Sequence, residues 1–250
     1  MGDCNLETIL LTELEDTDEK AVQALVACCN TYDGTAYDPV LSADFCYLVR
    51  NEEKEDSGCD ADIIAVLAGY RVGEQAEGLP VLEIEAFTHP ALRRLGLFRL
   101  CFDSLRDDFR GFRYRFIVKP QKAGPSPLPE DTQQALLSLG AVHSHDELLL
   151  RKTLARPIRN PKDSLCCQYG EVHLTSYDKE TLYLYGLLVY DRFLHQGYGR
   201  KLMEAVESSP EGRYRHILLQ VSSENIPALR LYRSLAYETE EAISYYYLCL

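Results

Sequence analysis

The chain has 250 residues, which is enough for one large domain or two small ones. Hydrophobic residues make up 46% of it, ample for a packed core, and 39 acidic residues against 26 basic ones give a net charge of −13. A surface this acidic argues against nucleic acid as a partner, because phosphates require a basic surface. It suits a cationic substrate, although acidic charge also serves solubility alone.

The cysteines and the first residues of the chain indicate its cellular compartment. The nine cysteines are an odd number and form no C-x-x-C pair. Residues 1–6 contain neither a basic leader region nor the Ser or Thr expected at position six for myristoylation, and no later stretch reaches membrane-spanning length. We therefore expect a reduced protein of the cytosol, or else of the nucleus, with no metal site and no membrane segment.

The first part of the chain predicts a mixture of strands and helices. Apolar, β-branched runs indicate strands, and amphipathic spacing indicates helices, the first behind acidic residues. Strands are expected at residues 6–12, 45–49, 63–72, 79–87, 113–118 and 147–152, and helices at 16–29, 99–109 and 130–139. The first helix should bury Val22, Leu25, Val26 and Cys29 on one face. Residues 30–44 lack periodicity and predict either a short second helix or a loop on the substrate side.

A second set of elements follows a linker, rich in proline and charge, that is expected at residues 155–163. The same signals predict strands at residues 165–170, 171–177, 183–189, 215–222 and 242–248, and helices at 201–207 and 225–237. The two sets of elements predict domains at residues 1–155 and 156–250. Only about 35 residues separate the end of the first set from Val189, so the second set lacks an opening pair of helices.

The stretch from Val189 to Arg200 joins a strand to a helix through a turn with glycines at positions 197 and 199. At such a helix start the first backbone N–H groups have no acceptor within the helix, and the helix dipole adds positive potential. This geometry accepts a diphosphate. A glycine turn alone is weak evidence, because most such glycines are structural.

The later helix carries the pattern N-x-x-A-x-x-L-Y-x-x-L-A-Y at residues 225–237. Together with the strand, the glycine turn and the helix after it, this pattern resembles the GNAT acetyltransferase superfamily. The resemblance implies an α+β fold with two GNAT-like halves, each a central twisted mixed sheet flanked by helices. It also implies that acetyl-CoA is the acetyl donor.

The resemblance also implies roles for particular residues. The expected acetyl-CoA site consists of Leu188, Val189, Tyr190, Leu194, His195, Gln196, Gly197, Tyr198, Gly199, Arg200 and Asn225. The amides from Gln196 to Arg200 would hold the pyrophosphate, the Val189 backbone and Asn225 would bind the pantetheine arm, and Tyr232 would protonate the departing thiolate. Leu194 stands where the family has Arg or Gln. Without the resemblance, Asn225 would be interpreted as a helix N-cap and Tyr232 as a core residue.

The turn occurs twice, with an offset of 101 residues. Thr88, Arg93, Gly96 and Phe98 align with Val189, Leu194, Gly197 and Gly199. The first copy has the Arg that the second lacks, but Leu136 and Pro129 stand where the second has Tyr232 and Asn225. We therefore expect the first half to be degenerate in catalysis.

The expected function is an N-acetyltransferase that moves an acetyl group to a primary amine by direct attack in a ternary complex. The general base is not identified: Tyr183, Tyr185 and Glu224 are candidates, and Glu83 and Glu85 hold the corresponding strand of the first half. Two alternatives stay open. One is a non-catalytic acyl-CoA-binding or interaction module, and the other is a cofactor site in the first half, at Arg93 and Gly96. The identity of the amine, whether a small amine or a lysine-containing substrate, and the oligomeric state are not determined.

Overall fold

The computed structural model describes residues 7–39, 41–52, 59–72, 79–119, 128–160 and 164–248. The chain divides into two compact units. Unit 1 comprises Met1–Ser144 and Ile243–Leu250, and unit 2 comprises His145–Ala242. Both units combine a β-sheet with helices, so the expected α+β class is confirmed. No helix in the described part of the chain is long and apolar enough to cross a membrane.

Unit 1 is a sheet with helices on both of its faces. Its elements are β1 (Ile9–Leu11), α1 (Asp16–Asp33), β2 (Phe45–Arg50), β3 (Ile63–Val72), β4 (Val81–Thr88), α2 (Leu97–Asp108), β5 (Arg113–Val118) and α3 (Glu130–Leu139). Strands β1 to β4 form an antiparallel meander, and β5 lies parallel to β4. The predicted face of α1, from Val22 to Cys29, is buried on one side of the sheet, as expected. On the other side α2 buries Leu97, Cys101, Phe102 and Leu105.

The described helices of unit 2 lie on one face of its sheet. The remaining elements of the chain are β6 (Val142–Ile158), β7 (Ser164–Cys167), β8 (Gly170–Ser176), β9 (Thr181–Val189), α4 (Tyr198–Glu207), β10 (Tyr214–Ser222), α5 (Ile226–Ser234) and β11 (Glu238–Leu248). The order in unit 2 is β6-β10-β9-β8-β7, and only the β9–β10 pair is parallel. Both α4 and α5 contribute to one core. Among the described residues no helix of unit 2 precedes β9, which confirms the expected truncation at its start.

The linker prediction at residues 155–163 is wrong in its first part. Strand β6 continues to Ile158, which is fully buried in the core of unit 2 and pairs with Tyr214. Pro157 and the flanking charges resemble a breaker, yet the burial of Ile158 keeps this segment in the sheet. Residues 161–163 of the predicted linker lie outside the described residues.

The last strand belongs partly to unit 1. Residues Ser244 to Leu248 of β11 pair antiparallel with β5, from Val118 back to Tyr114. The sequence-based division at residue 155 assigned these residues to the second half. Pairing between segments more than a hundred residues apart leaves no local pattern in the sequence, so periodicity could find this strand but not its partner.

Candidate functional site

In unit 2 the parallel strands β9 and β10 part after a short pairing. They pair from Thr181 with His216 to Leu184 with Leu219. Beyond Leu184, β9 continues beside β8 as far as Val189, and β10 continues beside β6 as far as Ser222. The edge of β9 from Tyr185 to Val189 thus faces a gap between two strands, where its backbone N–H and C=O groups are available to an extended ligand.

Gly186 makes this divergence possible. Its φ of 59° lies in the left-handed region, and the pairing register of β8 and β9 shifts beside it, between Glu171 and His173. A Cβ at Gly186 would lie 2.9 Å from His173 Cδ2. Backbone conformation and the neighbouring ring therefore both favour glycine at this bulge.

The glycine turn after β9 presents free amides at the start of α4. Gly197 has a φ of 80° and is the residue before the helix. The first helical bond runs from the Lys201 amide to the Gly197 carbonyl, at 3.2 Å. The amides of residues 197–200 precede that bond and have no acceptor among the described residues, as expected for a helix start.

Gly199 is required by packing rather than by its backbone angle. A Cβ at this position would come within 3.1 Å of Leu231 Cδ2 and 3.7 Å of Val189 Cγ2. The turn therefore lies close to both β9 and α5. Two side chains secure it further: Gln196 Nε2 donates to the Arg192 carbonyl at 3.0 Å, and the Arg200 guanidinium donates to Ser234 Oγ at 2.6 Å.

Most of the predicted acetyl-CoA site is exposed and lies on this turn. The exposed members are Leu188, Tyr190, Leu194, His195, Gln196, Gly197 and Arg200, and the partly buried ones are Val189, Tyr198 and Gly199. Leu194 projects into solvent with 44% of its surface exposed, so it does not wrap the turn. His195 has a φ of 59° and donates no described hydrogen bond, which agrees with an incidental role.

The two residues predicted on α5 have different surroundings. Asn225 is the helix N-cap, since its Oδ1 accepts from the Ala228 amide at 3.2 Å. Tyr232 is 6% exposed, and its ring lies 5.8 Å from that of Tyr237. Burial raises the pKa of Tyr232 to about 12, so its phenol stays protonated at neutral pH. No hydrogen bond joins its hydroxyl to another described residue.

The structure does not assemble the base candidates into one group. Tyr183 and Tyr185 lie on β9, on the face away from the core, whereas Glu224 is exposed just before α5. No described hydrogen bond connects Glu224 to either tyrosine. The general base of unit 2 therefore stays unassigned.

Unit 1 repeats the geometry around a cavity. Strands β4 and β5 pair only from Val81 to Ile84, and Gly96, with a φ of 86°, precedes α2. A cavity of about 360 Å³ opens there, lined by Ile84, Phe87, Phe98, Phe116 and Leu136 among others. The sequence indicated the turn but not the cavity, which depends on how α1 and α3 close its sides.

Arg93, the family-like arginine of the first copy, is already paired within unit 1. Its guanidinium forms two hydrogen bonds of 2.7 Å with the carboxylate of Asp33 and lies 3.4 Å from Asp131. Asp131 also pairs with Arg94 at 2.8 Å. The guanidinium group that would bind a diphosphate is thus already paired with two carboxylates. Neither was found from the sequence, because both are distant from Arg93 along the chain.

Glu85 on β4 is a half-buried residue whose carboxyl group has an unusual environment. Its Oε2 is buried and accepts no hydrogen bond from the described residues. Burial, as the largest cause, raises its pKa to about 7, with the charges of Glu83 and Asp38 adding to the rise and that of Lys119 opposing it. Such a carboxyl can exchange a proton near neutral pH.

A model of the acetyltransferase (GNAT) family matches residues 165–237, which cover the gap, the turn and α5. This segment of the chain is similar to the GNAT family. Solved GNAT structures also resemble the chain over nearly its whole length. A GCN5-related N-acetyltransferase from Sphaerobacter thermophilus is 12% identical with a TM-score of 0.62, covering 96% of this chain and 95% of that one.

Two further structures extend this comparison. A tandem GNAT protein from the clavulanic acid biosynthesis pathway is 13% identical, with a TM-score of 0.62 and 98% of each chain covered. The GCN5-related glucosamine N-acetyltransferase region of a fungal multi-domain GH3 β-N-acetylglucosaminidase is 10% identical with a TM-score of 0.64, covering 98% of this chain and 38% of that one. At these identities the similarity establishes the GNAT fold. A search of proteins with curated functions found no significant match.

Proposed function

We propose that the chain is an acetyl-CoA-dependent N-acetyltransferase that transfers an acetyl group to a primary amine by direct attack in a ternary complex. One observation carries the proposal. In unit 2 the open edge of β9 leads directly into a turn whose amides, from Gly197 to Arg200, have no acceptor in the described part of the chain. Acetyl-CoA has an extended pantetheine arm followed by a diphosphate, and this order matches that of the strand edge and the turn.

The residues of unit 2 fit acetyl-CoA in charge and in space. The four free amides and the helix dipole suit a diphosphate, and nothing lies within 4 Å of a Cβ built at Gly197. The backbone from Tyr185 to Val189 would bind the arm, and the Asn225 amide group, whose oxygen caps α5, would donate to it. Bound acetyl-CoA supplies a thioester that an amine can attack.

Tyr232 would act as the general acid. A phenol whose pKa is raised to about 12 is fully protonated at neutral pH, which is the state needed to donate a proton to a departing thiolate. Its helix also carries Leu231, which lies against the glycine turn. A backbone N–H on the open edge of β9 would stabilise the oxyanion.

The test is a titration of acetyl-CoA into the intact protein, followed by thiol release with a panel of amines. Saturable binding with amine-dependent release supports the proposal. Binding without release from any amine would favour the alternative, a non-catalytic acyl-CoA-binding or interaction module, which the exposed Leu194 and the unassigned base favour.

A specific observation also keeps the first-half alternative open. The cavity of unit 1 is enclosed on several sides, and Glu85 lies on one of its strands, β4, with a pKa raised to about 7. Against it, Arg93 is paired with Asp33 and Asp131. We place the acetyl-CoA site in unit 2 for this reason.

A further inference from the structure

We propose that a row of aromatic rings on the helix-free face of unit 2 binds the acceptor, and that the acceptor is a linear amine with two or more ammonium groups. The aromatic row consists of Tyr177, Tyr183, Tyr185 and His173. This inference rests on the proposed acetyltransferase function and names the substrate class of that site.

The four rings follow one another along the sheet. Ring centroids are separated by 6.4 Å between Tyr177 and Tyr183, by 6.2 Å between Tyr183 and Tyr185, and by 5.4 Å between Tyr185 and His173. The planes of neighbouring rings differ by 34°, 18° and 25°. The row is therefore one continuous surface rather than four separate side chains.

Strand alternation places this surface opposite the core. Leu182 and Leu184 of β9 are buried in the core with α4 and α5, so Tyr183 and Tyr185 project from the other face. Within the whole chain Tyr177 keeps 63% of its surface exposed and Tyr185 keeps 47%. Aromatic side chains left this exposed are available to a ligand.

Two carboxylates on the same face indicate the charge of that ligand. Glu171 lies 3.9 Å from His173 Nε2, and Glu147 projects from the face opposite the core, because Leu148 and Leu150 of the same strand pack into it. Their described partners are His173 and Cys166 for Glu171, and His145 and Gln220 for Glu147. No lysine or arginine of the described residues pairs with either carboxylate.

Arg151, a described cation on this face, is already paired. Arg151 projects on the same side of β6 as Glu147, but it pairs with Glu240 at 2.9 Å and donates to Thr181 Oγ1 at 3.2 Å. Glu147 and Glu171 therefore contribute negative charge beside the row, and aromatic rings add attraction for cations. Two separated carboxylates along one row suit a ligand that carries at least two ammonium groups.

The row passes the place where an acceptor must arrive. Tyr185 is the first residue of β9 after the last β9–β10 pair, immediately before the bulge at Gly186. An amine lying along the row would have one terminus at the gap into which the thioester of the proposed cofactor would reach. The other ammonium groups would remain beside the rings and the carboxylates.

Binding of spermidine, a linear triamine, tests the inference without the reaction. Calorimetry without acetyl-CoA should show spermidine binding to the wild-type chain, and no binding of the uncharged 1,8-octanediol. Tyr185→Phe keeps the ring and should keep the affinity. Tyr185→Leu keeps apolar bulk but removes the ring and should weaken binding about fivefold. Glu147→Gln should weaken it as well.

The thermal midpoint of each variant checks its fold. Equal binding of spermidine and the diol, or unchanged affinity in both Tyr185→Leu and Glu147→Gln, would overturn the inference. Because spermidine binding is measured without acetyl-CoA, this result is separate from that of the thiol-release assay. Failure of thiol release with every amine, while spermidine still binds through the row, would contradict the acetyltransferase function alone.

Discussion

Gly199 and Leu231 lie so close that a single added methyl group would bring them into contact at 3.1 Å. One residue is in the turn that would bind the diphosphate, and the other precedes Tyr232 on α5. This close approach places the proposed anion site beside the helix that carries the proposed general acid.

We expect this close approach to make the stability effects of mutations at Gly199 and Leu231 depend on each other. Gly199→Ala should destabilise the chain by about 1 kcal/mol, because Leu231 must move. In a chain that already carries Leu231→Ala, Gly199→Ala should lower the free energy of unfolding by less. The difference between the two effects, measured by urea unfolding, should be at least about 0.5 kcal/mol. Strictly additive effects would show that the turn does not rest on α5.

Tyr232→Phe removes one hydroxyl and keeps the ring in the core. If the phenol protonates the leaving thiolate, kcat should fall by roughly 10²–10⁴, while KM for acetyl-CoA should change little. Steady-state thiol release measures both constants. Tyr237→Phe is the matched control, since Tyr237 is the neighbouring buried ring at 5.8 Å and has no proposed chemical role. A fully active Tyr232→Phe variant would leave Tyr232 as a core residue.

Glu85 should make stability depend on pH in a direction opposite to that of a paired carboxylate. Burial raises its pKa from 4.5 to about 7 in the folded chain. Below about pH 4.5 the group is protonated in both states and contributes nothing. Between these two pKa values the unfolded chain binds fewer protons than the folded chain, so the free energy of unfolding falls as the pH rises. The full loss of stability is present above about pH 7.

The substitution Glu85→Gln should remove that loss. We expect the variant to match the wild type near pH 4.5 and to exceed it by about 1–3 kcal/mol at about pH 8 in denaturant unfolding. Glu83→Gln is the control, with an expected effect of opposite sign. Glu83 pairs with Arg115, so neutralising it should lower the free energy of unfolding of the chain. A difference between Glu85→Gln and the wild type that does not vary with pH would contradict the assigned burial.

The strand boundaries predict how fragments behave. A fragment of residues 156–250 lacks the part of β6, from Glu147 to Thr153, that pairs with β10. Its β10 edge would be open, and an open apolar edge promotes aggregation. We expect this fragment to be insoluble or molten, and a fragment of residues 145–250 to be more soluble. A soluble and active 156–250 fragment would contradict the need for β6.

The unfolding of the intact chain is a related test. Both unit boundaries lie within strands, β6 and β11, rather than within loops. We therefore expect a single calorimetric transition for the full chain. Two well-separated transitions would show that the units unfold independently.

The sequence predicted those features that depend on local pattern. The turn at Gly197, the buried face of α1 and the missing opening helices of the second half all follow from spacing or from counting residues, and the structure confirms them. Asn225 proved to be a helix cap, an interpretation that its residue type allows equally well. Its role toward a cofactor is still a prediction.

The features that the sequence missed depend on contacts between distant residues. Arg93 meets Asp33 across 60 positions, and β11 returns to β5 after more than a hundred. Burial of Glu85 likewise depends on tertiary packing, since acidic residues alternating on a strand are usually solvated. No periodicity or motif within one segment carries such information.

The most direct test of the account is the affinity for acetyl-CoA of two matched variants, Gly197→Asp and Gly96→Asp. Both glycines precede a helix with positive φ, a conformation that Asp adopts more readily than most residues, so we expect both variants to fold. Gly197→Asn serves as the uncharged control. We expect Gly197→Asp to weaken binding at least tenfold in calorimetry, about 1.4 kcal/mol, because its carboxylate repels the diphosphate. Gly96→Asp should bind as the wild type does. Unchanged affinity in Gly197→Asp together with a loss in Gly96→Asp would contradict the account and move the site to unit 1.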